Sequence, residues 1–260
     1  MRKSTQKDIA TANLLASFSA AQSRRNLLRG AAAGVAGIAA ISTGGLAYAK
    51  SYTSKRPTTD SIVSILTVAR TAEQLAVTFY SNGIANADKL GLSGSNLEYF
   101  KAALVEEQIH QQFFTANGGQ SLADKFSFPE GAKTFTDMKT FIATQQQLEG
   151  VFDSAFLAAI LEFAQLGRPD LAQIAGQIAT VESEHRALGR AIGGLVPADN
   201  WAFTPVLIAT VGDAPALVQK AGYLSPTSDN SYTYQEVSTD NAGVEQRKPF
   251  SANSTVQGNG

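Results

Sequence analysis

The sequence predicts an all-α fold: a four-helix bundle with one long crossover, a short extra helix and a polar C-terminal segment. Three observations carry this. Between residues 60 and 194 apolar residues recur at helical spacing in four long stretches that contain few prolines. These stretches are joined by short links within two pairs, and by a much longer link between the pairs. Each stretch also carries a glutamate near its middle, and in two of them a histidine follows three residues later.

The first helix is expected over residues 60–88, with Ile62, Ile65, Leu66, Ala69, Ala72, Ala76, Val77 and Tyr80 near helical spacing. Thr59 or Asp60 can cap it, and Gly91 follows its end. The second is expected over 96–116, opened by Ser95 and Glu98 at capping-box spacing and stopped by Asn117, Gly118 and Gly119. The third begins near Phe135, after Thr134 with Asp137 three residues on, and ends at Leu166 before Gly167. The fourth opens with Pro169 in its first turn and closes at Gly193 and Gly194, ahead of Pro197.

Short links make each pair an antiparallel hairpin. The link over 117–134 is different. Roughly 17 residues at about 3.3 Å each reach some 55 Å, enough to cross a bundle roughly 30–40 Å long. It also contains Phe126, Phe128 and Pro129. Beyond the bundle (60–194), residues 195–224 read as an extension packed on it, with Trp201, Phe203 and an apolar run over 214–221 suited to a short fifth helix. From Ser225 to Gly260 the chain is rich in Ser, Thr, Asn, Gly and Gln, and is expected to be a flexible or extended tail.

The N-terminus is set aside as a processing segment. Residues 23–29 include the pair Arg24 and Arg25; an uncharged Ala/Gly-rich run follows, and Ala47-Tyr48-Ala49 offers a cleavage site. Residues 1–49 resemble a twin-arginine signal peptide, with 50–59 as a linker, and this implies an exported protein, periplasmic or extracellular. An uncleaved anchor is the alternative, since residues 30–49 are about long enough to span a membrane. Their Gly, Ser and Thr content makes a poor lipid helix. Removing the signal's net +5 from the chain's −1 leaves a mature domain near −6. That charge argues against a membrane surface for the mature domain, and the chain's near-zero net charge with no basic cluster beyond the first thirty residues argues against nucleic-acid binding. No cysteine is present, so disulfides, iron–sulfur clusters and thiol nucleophiles are excluded. There is no phosphate-binding glycine loop and no support for a Ser-His-Asp triad.

Six residues carry the chemistry. Both histidines of the chain sit in Glu-x-x-His, as Glu107 with His110 and Glu182 with His185. That spacing puts each pair on one helix face. Eleven glutamates in 260 residues make the coincidence on both histidines rare. Glu73 and Glu149 are isolated glutamates in the apolar centres of the other two helices. All four glutamates lie about 11–15 residues into their helices, roughly 16–22 Å from the ends, so they meet at one level. Four buried carboxylates without counter-charge are costly, and two divalent cations neutralise them. Glu106 and Glu184 are expected to face solvent and Glu162 to lie outside the site. Tyr80, seven residues after Glu73, shares its face, as a core tyrosine or as a redox or proton-donating one.

This ligand set, one Glu from each of two helices and Glu-x-x-His from the other two, resembles that of ferritin-like dimetal carboxylate proteins. Within that superfamily the runs VFDSAFLAAI and IATVESEHRALGRAIGG are similar to exported ferritin-like proteins of the desiccation-related group. The resemblance implies a ferritin-like bundle with Glu107 and Glu182 bridging two metal ions, Glu73 and Glu149 as terminal ligands, and one histidine on each ion. It implies two divalent ions, iron before manganese, and O2 or peroxide as small-molecule substrate. Ferroxidase or peroxidase-like protection against oxidants is the leading reading. A dimanganese catalase-like enzyme is the second. A non-catalytic desiccation- or stress-associated structural protein is the third, and a homo-oligomer is compatible with all three.

Overall fold

The computed structural model describes residues 59–240 and 243–249; residues 1–49, expected to be a signal, and most of the expected linker lie outside the described residues. Within them, Ser61 starts α1 (Ile62–Ala85), its hydroxyl accepting the Ser64 N–H at 3.1 Å. This is the side-chain cap that satisfies an otherwise unpaired first-turn donor. A one-turn helix α2 (Ala87–Leu90) leads to α3 (Gly94–Ala116). After the crossover come α4 (Met138–Gln165) and α5 (Pro169–Ile192). α1 packs along α3 and α4 along α5, giving the two hairpins that the short links require. α1 is long and apolar enough to cross a membrane, but most of its apolar window is buried in the bundle.

The caps differ from those expected. Thr59 and Asp60 do not cap α1. The Thr59 hydroxyl donates to Gln165 at 2.7 Å, while the Asp60 carboxylate accepts the Gly212 N–H at 2.7 Å. The Ser95–Glu98 box lies inside α3, and Glu98 pairs with Lys101 at 2.8 Å instead. Residues Gly131–Phe135 form a 3-10 turn, and Asp137 caps α4 by accepting the Thr140 N–H at 2.8 Å. In each case an alternative small polar residue within a turn of the expected position took the cap, or the backbone began the helix without one.

The long crossover carries its aromatics into the core. Phe126 and Phe128 are fully buried, and Phe128 meets Phe135 and Tyr232 edge-on at 4.9 and 5.1 Å. Here the structure departs from a purely helical reading. Residues Lys125–Phe126 (β1) pair antiparallel with Tyr232–Thr233 (β2). The expected helix over 214–221 is present as α6 (Ala214–Ala221), behind a 3-10 turn, Val211–Asp213.

The segment after Ser225, expected to be a flexible or extended tail, is extended and held over its first part. The Tyr234 N–H donates to Asp124 O at 2.8 Å and the Val237 N–H to Gln108 Oε1 at 3.0 Å. Its polar composition concealed this, because backbone hydrogen bonds and two tyrosines do the anchoring. Glu162 lies outside the carboxylate cluster, as expected. It is nonetheless buried, accepting the N–H groups of Asp60 and Val211 at 2.8 Å each, which ties the start of α1 to the extension.

Candidate metal centre

Each bundle helix turns one part of its apolar face inward at mid-height, and the glutamates sit there. α1 supplies Glu73, α3 supplies Glu107 and His110, α4 supplies Glu149, and α5 supplies Glu182 and His185. All six converge. Donor atoms of Glu73, Glu107, His110 and Glu182 lie within 4.8 Å of one another, and so do those of Glu107, Glu149, Glu182 and His185. Glu107 and Glu182 belong to both groups.

The atoms are divided evenly. His110 Nδ1 stands 3.8 Å from Glu73 Oε2, 3.7 Å from Glu107 Oε2 and 3.7 Å from Glu182 Oε1. His185 Nδ1 stands 3.0 Å from Glu107 Oε1, 3.6 Å from Glu182 Oε2 and 3.9 Å from Glu149 Oε1. Each shared carboxylate thus sends one oxygen to each side. Donors bound to one ion at about 2.1 Å stand roughly 3.0–4.2 Å apart, the range found here.

Burial makes the arrangement costly without cations. The four glutamates and His185 are at most 1% exposed. Both carboxylate oxygens of Glu73, Glu107 and Glu182, Glu149 Oε2 and the Nδ1 atoms of both histidines are buried and make no hydrogen bond. Each such atom costs about 1–3 kcal/mol in desolvation, more when charged. A carboxylate-and-imidazole set of this kind suits divalent iron or manganese, and its residues fit two ions.

The electrostatics are those of crowded acids. Burial, then the charges of Glu107 and Glu182, push Glu73 well above the ordinary carboxylate range. Glu149 rises for the same reasons, with Glu182 its main charged neighbour, and Glu182 rises under burial and Glu107. Burial also works to raise Glu107, but the approach of His110 and His185 outweighs it and holds that carboxyl low. Burial disfavours the charged form of His185, yet Glu106, Glu107 and Glu182 together lift it well above its usual value.

The surroundings orient these groups. His185 Nε2 lies 2.7 Å from Glu106 Oε2. Glu106 was expected to face solvent, and its side chain is 31% exposed. It points about 100° from Glu107 on its own helix, which is where the imidazole from α5 arrives; only the packing of the two helices reveals that. Glu184 is exposed, as expected. Tyr80 is buried, and its hydroxyl donates to Glu149 Oε1. Gln145 Nε2 donates to the Tyr80 hydroxyl at 3.1 Å and to His185 O at 2.8 Å. Gly189 makes room for it: a Cβ there would lie 1.7 Å from Gln145 Oε1. Further out, Ser183 donates to Asp153 at 2.8 Å, and burial pushes Asp153 up to about 7 against that bond. The Arg186 guanidinium stacks on Trp201, 3.2 Å from the ring centre. Asp153 and Arg186 lie within the two runs that carry the resemblance, but no spacing marks a role for either, and Gln145 lies in neither run.

No curated protein and no solved structure matches the chain. The family model of a ferritin-like domain matches residues 61–194, just over half of its length, and that stretch contains all four bundle helices and all six converging residues. A bundle of two helical hairpins joined by one crossover, with its carboxylates gathered at mid-height, is thus the form taken here by a member of the ferritin-like domain family.

Proposed function

We propose that this chain is an exported dimetal-carboxylate protein that binds two iron ions and uses them against O2 or peroxide. The observation that supports it most is the even split of Glu107 and Glu182, one oxygen toward each histidine. His110 and Glu73 would complete one ion's ligands, and His185 and Glu149 the other's. When bound, a ferrous pair supplies two electrons together, so that peroxide and two protons become two waters while both irons become ferric.

The chain's own residues do the rest. Burial excludes bulk water from five of the six side chains. Glu106 accepts from His185 Nε2–H and thereby fixes the tautomer that leaves Nδ1 free for a metal. Tyr80 donates to Glu149 Oε1 and so orients that carboxylate, whose Oε2 makes no hydrogen bond. Iron before manganese and a role against oxidants follow the resemblance to ferritin-like dimetal carboxylate proteins, while the donor set itself accepts either metal.

Anaerobic Fe(II)-loaded protein mixed with hydrogen peroxide should oxidise two irons per peroxide, read by stopped-flow absorbance. The Glu73→Ala/His185→Ala variant should lose that oxidation, and an unchanged rate would overturn the reading. Export rests on residues 23–49, and replacing Arg24 and Arg25 by Lys should leave the protein in the cytoplasm, as fractionation would show.

A further inference from the structure

The centre is buried but not sealed. His110 is the ligand residue that reaches solvent, its side chain 12% exposed, and it lines a cleft of about 210 Å³ between α3 and α5. Glu106 lines the same cleft. The helical walls are otherwise mostly apolar: Ile109, Phe113, Ile174, Ile178 and Val181. Gln177 is the other polar wall residue, and residues 244–249 run along the cleft as a strap that adds Glu245, Gln246, Arg247 and Lys248 to its lining. Within the strap Val244 is 8% exposed, whereas its neighbours are open to solvent, so it acts as an apolar peg.

Size and polarity select the occupant. A water-sized oxidant needs about 30 Å³, while an apolar cavity of about 150 Å³ takes benzene. The cleft is several times too large for hydrogen peroxide, and the aliphatic and aromatic side chains of its helical walls offer that molecule no hydrogen bonds, the polar groups being Glu106, His110, Gln177 and those of the strap. They suit an apolar body of roughly six to nine carbon atoms. We infer that this cleft binds a small organic hydroperoxide, its hydrocarbon part among Ile109, Phe113, Ile174 and Val181 and its peroxide end at His110. The inference rests on the oxidant-reducing reading for its chemistry, though not for the binding itself. Reduction there would break the O–O bond: two electrons from a ferrous pair held by the six residues, which would become ferric, and two protons would leave an alcohol and water.

The test uses metal-free, full-length protein and 2-phenyl-2-propanol, the unreactive alcohol that reduction of cumene hydroperoxide yields. Calorimetric titration should show saturable binding, weakened about tenfold by Val181→Trp, which fills the cleft. The chain has two histidines, so diethyl pyrocarbonate labelling read by mass spectrometry is unambiguous. His110 should react faster than His185, and the bound alcohol should slow His110 by about tenfold. Absence of saturable binding, or binding that leaves His110 reactivity unchanged, would overturn the inference. The labelling of the unaltered chain decides the matter even if Val181→Trp does not fold. Neither readout involves metal, so this failure is distinct from failure of the metal centre.

Discussion

A histidine that is to ligate through Nδ1 needs its other nitrogen held, and Glu106 stands where it would do so for His185. Glu106→Gln keeps the side chain's shape but removes the carboxylate acceptor, and should weaken metal binding about 10- to 100-fold with the helix content unchanged. Metal titration beside circular dichroism checks both halves. Gly189 acts at one remove, through Gln145. Gly189→Ala forces a methyl into the space of a buried, hydrogen-bonded amide and should cost about 1–3 kcal/mol in chemical denaturation. The six converging residues could be read from sequence because each is marked by helical spacing on its own element. Glu106 and Gln145 could not, since their partners come from other helices and no local period encodes that meeting.

Among the elements, the crossover and the C-terminal segment deserve to be considered together. Phe128 packs between Phe79, Phe135, Tyr223 and Tyr232, so it joins the bundle, the crossover and the tail in one aromatic cluster. Phe128→Ala should therefore destabilise the protein by about 3–5 kcal/mol, measured by denaturant unfolding. A loss below about 1 kcal/mol would mean that the crossover contributes little to the core. The four helices were visible in the sequence because a 3.6-residue period sustained over more than twenty residues has few alternatives. Their caps were less so: Ser, Thr and Asp are crowded near each start, and several can serve. The tail was hidden because its pairing with β1 uses backbone groups, which any composition supplies.

For the whole molecule, the buried cluster couples stability to pH and to metal. Without metal, Glu73, Glu149 and Glu182 titrate above their ordinary 4.5, and His185 above its 6.5. The folded chain then binds more protons than the unfolded one above those ordinary values. Its stability falls as pH rises toward the raised ones. Glu107 works oppositely, but its contribution is lost only as pH falls below 4.5. Metal ions bound there would take the place of the protons and remove the penalty. The melting-temperature gap between metal-loaded and metal-free protein should therefore widen as pH rises above the ordinary glutamate value of 4.5 and on past the ordinary histidine value of 6.5. A gap independent of pH would count against a shared buried site.

The central claim is that six side chains hold two ions. Inductively coupled plasma mass spectrometry on protein purified from its native compartment, beside the Glu107→Ala/His185→Ala variant, measures this directly. Two metal ions per chain, iron above manganese, are expected in the native protein, and their loss in the variant. A metal-free native protein, or metal retained by the variant, would contradict it.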